Sequence, residues 1–153
     1  MTSSRGQNHQ LAELYEQDFC QWAEEMAQRL REGHFDVLDV EHLIEEIEDM
    51  SWSQKRLLLR NLRIVLLHLL KYQYQPERRS QNWRSSIVEH RIRIAEALED
   101  SPSLRAYLLE NLEKSYQRAR MQAAIETELP PKTFPDASPF SVEDVFNEEW
   151  LPD

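Results

Sequence analysis

Val40–Tyr74, VEHLIEEIEDMSWSQKRLLLRNLRIVLLHLLKYQY, decides the fold. Val40, Leu43, Ile44, Ile47 and Met50 recur at steps of three and four, which places them on one face of a helix. After Ser51-Trp52-Ser53 the same rhythm resumes through Leu58, Leu62, Val65, Leu66 and Leu69. Two readings are open, one long helix or a chain that folds back at Ser51–Ser53. No Gly or Pro forces a break there, so the reading favours one helix, bent or straight, ended by Pro76.

Outward from this segment the punctuation stays helical. The chain has 153 residues, the length of one ordinary domain. It has two glycines, Gly6 and Gly33, and no proline before Pro76, so the Gly and Asn-Gly steps of repeated hairpins are missing. A helix is expected from about Leu11 to Glu32, with Tyr15, Phe19, Trp22, Met26 and Leu30 on one face. Gly33 serves as its left-handed stop, and Asp36 or Asp39 caps the next helix. Pro76–Asn82 reads as a basic loop, followed by a helix with Trp83, Ile87, Arg91, Ile94 and Leu98 along one side. Ser101-Pro102 then reads as the start of a helix carrying Leu104, Leu108, Leu112, Tyr116, Ala119 and Ala123 and fading near Thr127.

Beyond Leu129, Pro130, Pro131, Pro135 and Pro139 forbid a continuous helix, and Phe134, Phe140, Phe146 and Trp150 supply apolar anchors. Ser141-Val-Glu-Asp144 has the form of a capping box for one short helix. The expected architecture is all-α: a single domain with a flexible tail at 1–10, a bundle of four to five helices at 11–127 and a proline-rich arm at 128–153. That arm packs on its own bundle or on a partner's. The expected core includes Trp22, Leu43, Ile47, Leu62, Leu66, Leu69, Trp83, Ile87, Leu108 and Leu112.

Charge narrows the function. A net charge of −10 argues against a general binder of nucleic acid or anionic membrane. The N-terminus has no apolar signal core, and Leu57–Leu70 is too short and too polar to span a bilayer, so a cytoplasmic protein with no membrane partner is expected. Cys20 is the single cysteine, which rules out an intrachain disulfide and a cysteine-based zinc site. With no glycine after Gly33, phosphate-binding Gly loops and Gly-x-Ser-x-Gly elbows are missing as well.

The charges are also polarised along the sequence. Asp36–Met50 holds seven acids (Asp36, Asp39, Glu41, Glu45, Glu46, Glu48, Asp49) and no Lys or Arg. Lys55–Arg93 holds ten bases (Lys55, Arg56, Arg60, Arg63, Lys71, Arg78, Arg79, Arg84, Arg91, Arg93) against Glu77 and Glu89. Such blocks are most often solvated or paired with each other, within the bundle or across a dimer.

Several segments together resemble one family. Leu43-Ile-Glu-Glu-Ile-Glu-Asp-Met50, His68–Ser80 with Trp83, Glu99-Asp-Ser-Pro-Ser-Leu104, Tyr116-Gln-Arg-Ala-Arg120 with Glu126, and the Thr133-Phe-Pro135 step are similar to domain of unknown function 29. The resemblance covers roughly Leu14 to Pro152. It implies an all-helical bacterial protein, of a kind numerous in cyanobacteria, and brings no activity with it. Family members often carry Gly near Ser51 and a Cys-Pro step where this chain has Ser138-Pro139. The missing Gly bears on whether the long helix bends, and the missing Cys removes a thiol from that position.

Three functions fit the residues. The favoured one is a non-catalytic module that works through protein contacts or self-association, without a cofactor. The alternative is a divalent-metal-dependent hydrolase, similar to the all-helical nucleotide pyrophosphohydrolases. Its Mg²⁺ or Mn²⁺ would sit on Glu45, Glu46, Glu48 and Asp49, since hard cations want carboxylate oxygens. It needs a second acidic pair, for which Glu96, Glu99 and Asp100 are the candidates. The third, and least favoured, is weak nucleic-acid binding through Arg78, Arg79, Arg84 and Trp83.

A polar site at His68, Lys71, Tyr116 and Arg120 is also conceivable. The plain readings are a core histidine and an Arg–carboxylate pair joining two helices. His68 and Lys71 reach the acidic cluster only if the chain reverses near Ser51–Ser53 or meets a second copy.

Overall fold

The structure is a computed structural model that describes residues 2–153, with side chains described from residue 5 onward. Seven α-helices and no strand occur among the described residues: α1 (Thr2–Gln17), α2 (Phe19–Arg31), α3 (Val40–Tyr74), α4 (Gln81–Asp100), α5 (Leu104–Glu110), α6 (Leu112–Thr127) and α7 (Val142–Phe146). The chain is all-α, as expected. It divides into two compact units, Met1–Trp52 and Ser53–Asp153.

Two predicted helices are each split in two, which raises the count above the expected four to five. The helix expected over Leu11–Glu32 breaks at Asp18, whose backbone leaves helical geometry (φ −150°, ψ 88°) while its carboxylate accepts from the Gln21 N–H at 3.0 Å. A side chain that caps the next helix competes with continuation of the previous one. Helix α1 begins at Thr2, so the stretch 1–10 read as a flexible tail is helical from that residue on. The second split is at Asn111, whose side-chain amide donates to the Tyr107 carbonyl at 2.8 Å. Ser101 and Pro102 also act differently from expectation: Ser101 closes α4, and α5 starts two residues after Pro102.

The N-terminal unit contains α1, α2 and α3 as far as Trp52. Its buried core is Leu11, Trp22 and Met26, with Leu14, Tyr15, Ala23, Leu38 and Leu43 packed against them. Gly33 (φ 75°) takes the left-handed position past α2. There His34 N–H reaches the Arg29 carbonyl and Gly33 N–H the Leu30 carbonyl, the paired bonds of a Schellman stop.

The C-terminal unit packs α3 from Ser53, α4, α5, α6 and α7 around one core that runs from Leu58 to Val145. Helix α3 is continuous through Ser51–Ser53. The arm belongs to this unit: Phe134, Phe140 and Val145 are core residues, and Ser141 caps α7 through the Asp144 N–H at 3.1 Å.

Of the expected core, Trp22, Leu62, Leu66, Leu69, Ile87 and Leu108 are buried, while Leu43, Trp83 and Leu112 are partly covered. Ile47 is the exception and is 64% exposed. Periodicity shows that a face is apolar, but it cannot say whether another element covers that face.

Candidate functional site

The first half of α3 starts at Asp39, which is 8% exposed and caps the helix with its carbonyl accepting from the Leu43 N–H. Its carboxylate accepts instead from two side chains, the Trp22 indole N–H at 3.1 Å and the His42 imidazole Nδ1 at 2.7 Å. The hydrogen bond to Asp39 raises the His42 pKa above its ordinary value, against a smaller opposing effect of burial. Tyr15 stacks on the His42 ring at 3.9 Å and donates to Glu46 Oε1 at 2.6 Å. That bond, with burial and the Glu46 charge, pushes the Tyr15 hydroxyl up to about 12. Glu46 is therefore engaged within its own unit.

Glu45, Glu48 and Asp49 are exposed on α3. Among the described residues, no group of three or more His, Cys, Asp or Glu side chains comes together as metal donors would. Interleaved with these acids is a solvent-facing apolar row. Val40, Ile44, Ile47 and Met50 are 52%, 50%, 64% and 68% exposed. The steps of four, three and three place them on one side of the helix.

In the C-terminal unit, His68 and Lys71 come together with Glu126 of α6. Lys71 Nζ lies 2.9 Å from Glu126 Oε2 and 5.1 Å from the centre of the Trp83 ring. Burial alone would raise the Glu126 carboxyl, but hydrogen bonds from Lys71 and Gln122 outweigh it and hold the group below its ordinary value. His68 Nδ1 donates to the Ile64 carbonyl at 2.9 Å, and burial lowers its pKa. This is a locally satisfied set that ties α3 to α6.

Tyr116 and Arg120 do not join that set. They hold the arm: the Tyr116 hydroxyl donates to the Pro135 carbonyl, and Arg120 donates to the carbonyls of Phe134 and Pro131 and to Asp136. Burial pushes the Tyr116 hydroxyl up to about 12. Arg91 grips the same arm further on. It is 2% exposed and donates to the carbonyls of Val145, Asp144 and Trp150 at 2.7–2.9 Å. Burial lowers its pKa to about 10, which leaves it charged at neutral pH.

The basic candidates are divided. Arg79 donates to the Tyr72 carbonyl and lies over its ring at 4.2 Å, while Arg84 donates to the Tyr72 hydroxyl. Both serve the junction between α3 and α4, and Arg78 is exposed.

Sequence reasoning missed the Asp39–His42–Trp22 and Tyr15–Glu46 connections. The one available signal was the spacing of Asp39 and His42, one helical turn apart. Arg91 was readable as a cation on an otherwise apolar stripe.

Comparison with known proteins returns one family model, Domain of unknown function DUF29, matching residues 14–151. No curated protein and no solved structure matches the chain.

Proposed function

The chain belongs to the DUF29 family, and on that premise we propose that it is a non-catalytic protein-interaction module that docks its partner on the exposed face of α3. The observation that supports this reading is the row Val40, Ile44, Ile47 and Met50. Single exposed apolar residues are ordinary, but four large ones aligned along one helix make a patch of the sort that marks contact surfaces. Recognition of this kind uses anchors at i, i+4 and i+7 lying in an apolar groove.

The acids around the row define the partner further. Glu41, Glu45, Glu48 and Asp49 are exposed beside it, with no Lys or Arg between Asp36 and Met50. An acidic rim favours a partner with an apolar groove and a basic edge, because complementary charge speeds encounter and selects among partners. A second copy of this chain and a different protein both fit that description.

The test is the double variant Ile44→Glu/Ile47→Glu. Both side chains are half-exposed or more, so the fold should keep its melting temperature. Sedimentation across a concentration series then reports self-association, and co-purification from the native cell reports a different partner. Loss of either association with unchanged melting supports the reading. A variant that keeps every association of the parent contradicts it.

A further inference from the structure

A second feature lies in the C-terminal unit and is independent of the apolar row. Arg56, Arg60 and Arg63 stand at i, i+4 and i+7 on α3, hence on one face. Arg118 on α6 meets them across a cleft of about 230 Å³ that Leu59 and Ser115 also line. No acid lines it.

Six other arginines have partners. Arg29, Arg93 and Arg120 pair with carboxylates, and Arg79, Arg84 and Arg91 bind carbonyls or Tyr72. Among the described residues, Arg56, Arg60, Arg63 and Arg118 make no ion pair, although the chain carries 28 acids. The Arg63 Nε is moreover buried with no hydrogen-bond partner. Like charges one helical turn apart destabilise a helix, and a buried donor left unmade costs stability. In a protein of net charge −10, four guanidinium groups that converge without an acid leave both costs uncompensated by the protein itself.

We propose that this cleft binds the phosphoryl groups of a small phosphorylated ligand, with Arg56, Arg60, Arg63 and Arg118 as the contacts. A guanidinium offers planar, paired donors that match phosphate oxygens, so several of them suit a di- or triphosphate better than a single carboxylate. The volume agrees. Drug-sized ligands occupy clefts of roughly 300–1,000 Å³, so this cleft takes a phosphoryl head and leaves any organic remainder outside.

Inorganic pyrophosphate and the triphosphate of a nucleotide share that chemistry. Metal-free titration calorimetry with pyrophosphate, ATP and adenosine, at fixed ionic strength in chloride, separates them. The full chain binds pyrophosphate and ATP and ignores adenosine. If pyrophosphate binds as tightly as ATP, the phosphoryl head is the ligand. If ATP binds at least about tenfold more tightly, a nucleotide is. Arg118→Ala and Arg56→Ala, both at exposed positions, each weaken binding about tenfold or more, and Arg78→Ala, outside the cleft, leaves it unchanged. Without ligand, Arg60→Gln melts no lower than the parent, because it relieves repulsion, and it loses most of the pyrophosphate-induced rise.

Three results would overturn the proposal. One is no binding of either phosphate compound up to about 10 mM. Another is binding that survives Arg56→Ala/Arg118→Ala. The third is a single-stranded oligonucleotide that binds more tightly than ATP, which would assign the cleft to nucleic acid.

Discussion

The two compact units bury very different amounts of apolar surface and treat their histidines in opposite ways. Among the described residues of Met1–Trp52 three apolar side chains, Leu11, Trp22 and Met26, are buried, and His42 is held towards its charged form by Asp39. In Ser53–Asp153 the core extends from Leu58 through Phe134 and Phe140 to Val145, and burial holds His68 towards its neutral form. Large apolar cores supply most of a domain's stability, and regions with few buried contacts open first. The C-terminal unit is thus the scaffold. The N-terminal unit, which carries the exposed row on α3, depends more on its polar network.

The largest expected effect is at the arm. Arg91→Met leaves the carbonyls of Val145, Asp144 and Trp150 without their donor, and at about 1–3 kcal/mol for each buried acceptor left unsatisfied the loss should reach about 3 kcal/mol or more. Chemical denaturation followed by circular dichroism reads it. A cost below about 1 kcal/mol would show that the apolar anchors and the Tyr116 and Arg120 hydrogen bonds hold the arm without Arg91. Next comes Leu66→Ala, at a fully buried position of the scaffold, with an expected loss of about 2–5 kcal/mol. Hydrogen exchange should place that loss in amides of the C-terminal unit.

The histidines sharpen the comparison with pH. His42 has a folded pKa above 6.5, so its stabilisation is complete below pH 6.5 and is lost as pH rises through the folded value. Asp39, Glu45 and Glu16 are the charges that favour its protonated form. His68 has a folded pKa below 6.5, so stability is intact above pH 6.5 and falls as pH drops towards the folded value. Lys71 and His90 disfavour its protonation and Glu126 opposes them. His42→Gln should remove the loss on the alkaline side and His68→Gln the loss on the acid side. The same pH profile in both variants would break the comparison.

A smaller effect is expected at Trp22→Phe. It shrinks a fully buried ring and removes one donor to Asp39, for about 2–3 kcal/mol confined to the N-terminal unit. Hydrogen exchange of α2 amides reads it, and a change spread equally over both units would contradict the division of labour.

Helix content, the length of α3, the stop at Gly33 and the cap at Ser141 were all legible, because each depends on local chemistry. The break at Asp18 was hidden, since the apolar spacing from Tyr15 to Leu30 runs straight across it and gives no sign that a cap has won. Pairings such as Lys71–Glu126 or Tyr15–Glu46 join positions far apart in sequence, and nothing local predicts them. The same limit explains Ile47: its place on the apolar face of α3 was readable, its exposure was not. The basic block was legible as a block. Its division into arginines spent on Tyr72 and arginines left facing a cleft depends on which helices meet.

The central claim, that the row on α3 is a docking face, is tested most directly by placing a photo-crosslinking residue at Ile47 and, as a control, at the exposed Lys114. Irradiation in the native cell should yield one discrete protein adduct from position 47, either a second copy or a different protein, and none of it from position 114. The same adducts from both positions, or none from position 47, would contradict the account.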